Sequence, residues 1–124
     1  MASVLIIDDE KAIRDLLCQV LEQAGHGAVT AANAQEGLHL YRQQPVDVVL
    51  TDIFMPETDG FELIASLKRE NPFVKIIVMT GIGASPKLLH VTELLGAHTT
   101  LYKPFTIQHL LSTIHLTLSP HPSS

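Results

Sequence analysis

Four short stretches hold the side chains that could do chemistry: Asp8-Asp9-Glu10, Asp52, Thr80-Gly81 and Lys103-Pro104. Each comes at the end of an apolar run. If those runs are parallel strands of one sheet, all four stretches fall on the same edge. Asp8, Asp9 and Asp52 would then bring three negative charges together, and Lys103 would return one positive, leaving a net of minus two. A cluster of that kind repels itself or pushes a carboxyl pKa upward, and a divalent cation balances it. Carboxylate and carbonyl oxygens with no His or Cys nearby favour Mg²⁺, which keeps several waters and recruits phosphate oxygens. Thr80 adds a hydroxyl donor and Lys103 a mobile ammonium. A carboxylate ringed by metal, hydroxyl and ammonium suits a bound phosphoryl group, with Asp52 as its nucleophile. This also gives a reason for "VVLTDIFMPETDG", in which a hydrophobic strand runs straight into Asp52. A buried carboxylate is costly unless something pairs with it.

Singly, each stretch has an ordinary reading. Acids after a strand cap a helix and favour its dipole. A lone Asp at a strand end is a turn residue. A Lys before Pro is a solvated side chain. Their coincidence after strands one, three, four and five is what points to a site.

The elements that must position these residues alternate. Residues 3–7 read as a buried strand, followed by a helix with Ile13, Leu16, Leu17, Val20, Leu21 and Ala24 on one face, stopped by Gly25 and Gly27. A weak strand over 28–32 leads to a helix over 34–44, capped by Asn33, with Leu38 and Tyr41 inward and Pro45 ending it. A third strand over 46–50 precedes a helix over 60–70. A fourth over 74–79 precedes a helix that opens on Ser85-Pro86 and closes at Gly96. A short strand over 99–102 and a helix carrying Ile107, Leu110, Leu111, Ile114 and Leu118 complete the chain. Residues 1–118 form one domain, and 119–124 a polar tail or the start of a linker. Strands one, three and four are apolar throughout, as strands covered on both faces should be. An α/β fold follows, an open parallel sheet with helices on both sides and its ligand site beyond the carboxyl ends of the strands.

The 124 residues suffice for one core, with 46% hydrophobic and 17% charged side chains. Net charge is −5 with no Lys/Arg cluster, which argues against a nucleic-acid or anionic-membrane surface. No apolar run is long enough to span a bilayer and no signal-peptide plan is present, so a cytoplasmic domain is expected. Cys18 is the only cysteine and reads as a small buried hydrophobe. The seven histidines show no i,i+4 metal spacing, and His109 and His115 fall outside the apolar stripe of their helix. Beyond residue 79 the only charged side chains are Lys87, Glu93 and Lys103. The fourth and fifth helices are therefore either well buried or part of a partner surface.

With "LIIDDE", "DIFMPETDG", "MTG" and "KPF" in this order, the chain resembles the receiver domains of two-component response regulators over nearly its whole length. The resemblance implies a flavodoxin-like (βα)5 sheet of order 2-1-3-4-5. It implies that Asp52 accepts a phosphoryl group from a phosphohistidine of a sensor histidine kinase or histidine phosphotransfer protein. Asp8, Asp9, Asp52 and the Phe54 carbonyl would hold Mg²⁺, for which Mn²⁺ substitutes. Thr80 would be the switch hydroxyl, Lys103 the phosphoryl-binding lysine, and the Lys103-Pro104 bond cis. The domain would catalyse its own phosphotransfer and dephosphorylation while serving as a switch. It would meet a second copy or an output partner through the face of helix four, strand five and helix five. Phe54 and Ile82 would flank the hydrolytic water and, being apolar, slow its attack. Thr100 stands where the family commonly has Tyr or Phe, and Tyr102 is an aromatic in a different position. A shift of the loop over 82–85 with helix four is therefore expected in place of a ring movement.

Other classes fit less well. A haloacid-dehalogenase-like phosphatase needs an acid where Phe54 stands. A flavodoxin-like cofactor site would need a Ser, Thr and Gly-rich loop in place of the acidic "DDEK", and a receiver-like interaction module without chemistry would not need all five polar positions.

Overall fold

The computed structural model describes residues 2–55, 60–81 and 84–119. Strand and helix alternate five times: β1 Ser3–Ile7, α1 Lys11–Gln23, β2 Gly27–Ala31, α2 Ala34–Gln43, β3 Val48–Asp52, α3 Gly60–Glu70, β4 Lys75–Gly81, α4 Pro86–Leu95, β5 Thr99–Lys103 and α5 Ile107–Leu118. The strands form one parallel sheet in the order β2-β1-β3-β4-β5. This is the flavodoxin-like order, with β3 at its centre between β1 and β4. Pro56 and Asp59, Ile82 and Gly83, and the tail over 120–124 lie outside the described residues.

Alternate residues of each strand feed two cores, because successive strand side chains point to opposite faces. On one face Leu5, Ile7, Val49, Ile76 and Val78 meet Tyr41 of α2 and Leu63, Ile64 and Leu67 of α3. On the other, Val4, Ile6, Leu50, Ile77, Met79 and Leu101 meet Leu17, Val20 and Leu21 of α1 and Leu110 and Ile114 of α5. Each such side chain contributes roughly 1.5–3 kcal/mol through burial.

Helix ends follow local chemistry. Asn33, Ser85 and Thr106 each accept a backbone N–H of the turn they cap, from Glu36, Lys87 and His109. Gly96 ends α4 at φ 113°, a left-handed conformation that favours glycine, and a Cβ there would press on the Lys68 side chain. That lysine donates to the Val74 carbonyl at 2.7 Å, tying α3 to the start of β4 and lying under the end of α4. Gly60 opens α3 so close to Ile53 that a Cβ would stand 2.6 Å from its Cα. The helix is thereby held against the residue following Asp52.

Several expectations shift. β3 lies two residues later than the apolar run over 46–50: register pairing begins at Val4 with Val48, and just before it Ser3 and Asp47 meet, the Ser3 N–H donating to the Asp47 carboxylate at 2.9 Å and the Asp47 N–H to the Ser3 carbonyl at 3.0 Å. Asp52 is thus the last residue of the strand and pairs with Met79. Thr80 and Gly81 likewise belong to β4. Leu16 and Ala24 do not share the buried face of α1; Leu16 is 54% exposed. Cys18 is only half-buried, with its thiol 3.5 Å from Glu22 Oε1. α4 is not a well-buried helix. Thr92 is its only fully buried residue, while Val91 and Leu94 face outward.

Candidate functional site

β1 and β3 lie side by side, so Asp8 and Asp52 emerge as neighbours at the carboxyl edge of the sheet. The two acids are held alike. Asp8 Oδ1 accepts the Glu10 N–H at 2.9 Å, and Asp52 Oδ1 accepts the Phe54 N–H at 2.8 Å. In both, the carboxylate bonds the backbone two residues on, which fixes the turn leaving the strand. Their second oxygens converge on one cation. Lys103 Nζ donates to Asp8 Oδ2 at 3.0 Å and to Asp52 Oδ2 at 2.8 Å. Asp8 is fully buried and Asp52 is 8% exposed, so the pairing is needed to hold two carboxylates there. Burial pulls the Lys103 pKa down, but the hydrogen bonds and charges of Asp52 and Asp8 outweigh it and hold it above the ordinary lysine value.

Lys103 reaches the acids from the end of β5, and its bond to Pro104 is cis. Asp9 is exposed and forms no hydrogen bond through its side chain among the described residues. Asp8, Asp9 and Asp52 each place a carboxylate oxygen so that the three lie within 4.8 Å of one another. A hard divalent cation that keeps part of its water shell fits these donors: all are oxygens, one acid is solvent-facing, and no His or Cys is in the group.

Thr80 completes the edge from β4. Its hydroxyl is buried and has no hydrogen-bond partner among the described residues. Such a group is expensive to leave unmatched, and it suits an oxygen-rich ligand at the strand ends. Phe54 sits just past Asp52 and is 48% exposed. Thr100 is half-buried, and Tyr102, paired in register with Thr80, turns outward.

The edge therefore gathers Asp8, Asp9, Asp52, Thr80 and Lys103, with Phe54 adjoining. The helix-cap reading of the first acids fails, since Glu10 holds the cap position of α1 and makes no side-chain cap. Two supporting residues were not legible. Thr51 Oγ1 donates to the Asp52 carbonyl at 2.9 Å, and Arg14 Nη1 donates to the Asp8 carbonyl at 2.8 Å. Arg14 follows Asp8 by six positions, a spacing that in sequence reads only as a solvated helix face.

Beside Lys103 a groove of about 450 Å³ runs between α1 and the β5–α5 turn, lined by Ile13, Leu16, Leu17, Pro104 and Phe105. A hollow of about 460 Å³ at the opposite edge, near Ser3 and Pro45, is far from these acids.

The sequence profile of the response regulator receiver domain matches residues 4–115. A probable transcriptional regulator, ycf27 of Guillardia theta, is 36% identical over 93% of the chain and 44% of its own length. The sporulation initiation phosphotransferase F of Bacillus subtilis is 32% identical, with 90% of this chain and 89% of that protein covered. Among solved structures, a CheY-like receiver domain protein from Methanospirillum hungatei superposes with a TM-score of 0.90 at 33% identity, covering 95% of this chain and 94% of that one. The chain spans less than half of the transcriptional regulators it matches, 24% in the case of NtrC from Azospirillum brasilense.

Proposed function

The chain belongs to the response regulator receiver domains, whose general function is a phosphorylation switch, and we propose that Asp52 is its phosphoacceptor. The observation that carries this is the arrangement around Asp52, a strand-end carboxylate fixed by the Phe54 amide and Lys103, beside two further acids.

In the proposed reaction an Asp52 carboxylate oxygen attacks the phosphorus of a phosphohistidine on a histidine kinase or histidine phosphotransfer protein. The N–P bond breaks, and its electron pair returns to the imidazole nitrogen, which takes up a proton. Lys103 follows the negative charge from Asp52 onto the phosphoryl oxygens, and the Thr80 hydroxyl donates to one of them. Asp8, Asp9, Asp52 and the Phe54 carbonyl would hold Mg²⁺, or Mn²⁺ in its place. When bound, the metal supplies charge neutralisation for the phosphoryl oxygens. Reversal of the switch is hydrolysis: water attacks phosphorus, the bond to Asp52 breaks, and carboxylate and inorganic phosphate result.

Partner surfaces follow from exposure. The apolar groove beside Lys103 suits the donor protein, which must bring its histidine to Asp52. The charge-poor face of α4, β5 and α5, with Val91, Leu94, Tyr102 and Leu116 outward, suits a second copy or an output partner. Among the described residues no helix is long and apolar enough to cross a membrane. The proposed setting is the cytoplasm, with no nucleic-acid contact by this domain. Acetyl phosphate with Mg²⁺ should add one acid-stable, base-labile acyl phosphate. A mass shift that persists in Asp52→Asn removes the assignment.

A further inference from the structure

Asp9 raises a problem of placement. Asp8 and Asp52 are each anchored through both carboxylate oxygens, whereas Asp9 is exposed and its side chain has no hydrogen bond among the described residues. The backbone it hangs on sets the direction of its Cα–Cβ bond, and no side-chain hydrogen bond corrects that direction among the described residues. That backbone is pinned on either side. The Asp8 N–H donates to the Ala31 carbonyl at 3.1 Å, the last tie to β2, and the Glu10 N–H donates to Asp8 Oδ1. Between them lies the Asp8–Asp9 peptide. Its carbonyl belongs to a residue with no solvent exposure, so it needs a donor, and the strand ladder of β1 has ended at Ile7. The donor is the guanidinium of Arg14, reaching back from the first turns of α1 at 2.8 Å.

We infer that Arg14 is a positioning residue for the metal site: by holding the Asp8 carbonyl it fixes the plane of the Asp8–Asp9 peptide and so aims the Asp9 carboxylate at Asp8 and Asp52. This rests on the reading of the three acids as metal ligands. Arg14 bonds the Asp8 main-chain carbonyl and no carboxylate oxygen of the three acids, and so acts through the peptide alone. Groups that orient metal ligands from behind typically account for a 10–100-fold difference in metal affinity.

Three roles for Arg14 differ in sign. As a positive charge near the acid cluster, it would weaken cation binding, and its removal would tighten it. As a plain partner for a buried carbonyl, its removal would lower the melting temperature and leave metal affinity alone. As a positioning residue, its removal weakens binding in spite of the charge effect. The test is a Mg²⁺ titration by calorimetry of the unphosphorylated protein, well below the melting temperature of every variant, on wild type, Arg14→Ala, Arg14→Lys and Asp9→Asn. The expected result is a dissociation constant raised about tenfold or more in Arg14→Ala, and partly restored in Arg14→Lys, which keeps a donor of similar reach. Unchanged or tighter binding in Arg14→Ala, with wild type binding Mg²⁺ and Asp9→Asn impaired, overturns the inference alone. Absence of binding by wild type, or full affinity in Asp9→Asn, overturns the metal-site reading and the inference with it.

Discussion

At the ends of β1 and β3 every oxygen of two buried acids has a partner; one strand further, at the end of β4, a buried hydroxyl has none among the described residues. Asp8 and Asp52 offer six oxygens between them, taken by Arg14, Glu10, Lys103, Thr51 and Phe54. Thr80 Oγ1 is as deeply buried and unmatched. The contrast separates two tasks. The acid side is organised before any ligand arrives, which spares reorganisation during the reaction. The hydroxyl side is left in a state that a new acceptor would improve, and a ligand-dependent rearrangement needs that difference.

Lys103→Met breaks the organised side most severely. It leaves Asp8, Asp9 and Asp52 with no ammonium among them, so Mg²⁺ affinity should rise while phosphoryl uptake from acetyl phosphate falls about 100-fold, the scale for losing a donor to transition-state charge. If affinity falls together with uptake, the lysine is a scaffold for the acids. Phe54 and Ile82 come two residues after Asp52 and Thr80 in the sequence. The double change Phe54→Asn with Ile82→Glu should speed decay of the phosphorylated protein on the order of tenfold by admitting and orienting water. An unchanged decay rate counts against water exclusion by these side chains.

Stability sharpens the contrast at smaller scale. Thr51→Val removes a hydrogen bond to the Asp52 carbonyl and should cost about 1 kcal/mol. Thr80→Val removes a buried hydroxyl with no bond to lose and should be neutral or stabilising by ~1 kcal/mol. Equal losses in urea melts would erase the distinction. The smallest effect is at alkaline pH. Because its carboxylate partners hold the Lys103 pKa above the ordinary value, the folded protein keeps that proton more tightly than the unfolded chain. That contribution is complete below the unfolded lysine value of about 10.4 and is lost as pH rises through the folded one. The melting temperature of the metal-free wild type should therefore fall more steeply than that of Lys103→Met above that pH.

Much of this was legible because local rules and global fold agree. Asn33, Ser85-Pro86 and Gly96 mark helix ends by chemistry that needs no tertiary context, and α3, α4 and α5 lie where pattern and caps put them. The meeting of Asp8, Asp52, Thr80 and Lys103 followed from strand alternation alone. What was not legible depends on partners. An apolar run does not say which of its residues pair, and the register of Val4 with Val48, next to the Ser3–Asp47 contact, places the start of β3. Periodicity assigns Leu16 to a face but does not show that the groove beside Phe105 leaves it open. Arg14 and Thr51 act on backbone carbonyls, and a carbonyl leaves no trace in the sequence.

α4 has one further mechanical property. Its far end is pinned, with Gly96 seated on the Lys68 side chain, while along its length only Thr92 is fully buried. Ten residues of helix make an arm of about 15 Å. A turn of about 10° about the pinned end sweeps the opposite end through ~2–3 Å by lever geometry alone. The arm's free end is Ser85-Pro86, five residues beyond Thr80 in the chain. A displacement handed over from the strand end at Ser85-Pro86 is therefore spread along the exposed side of α4, largest at that end and fading toward Gly96.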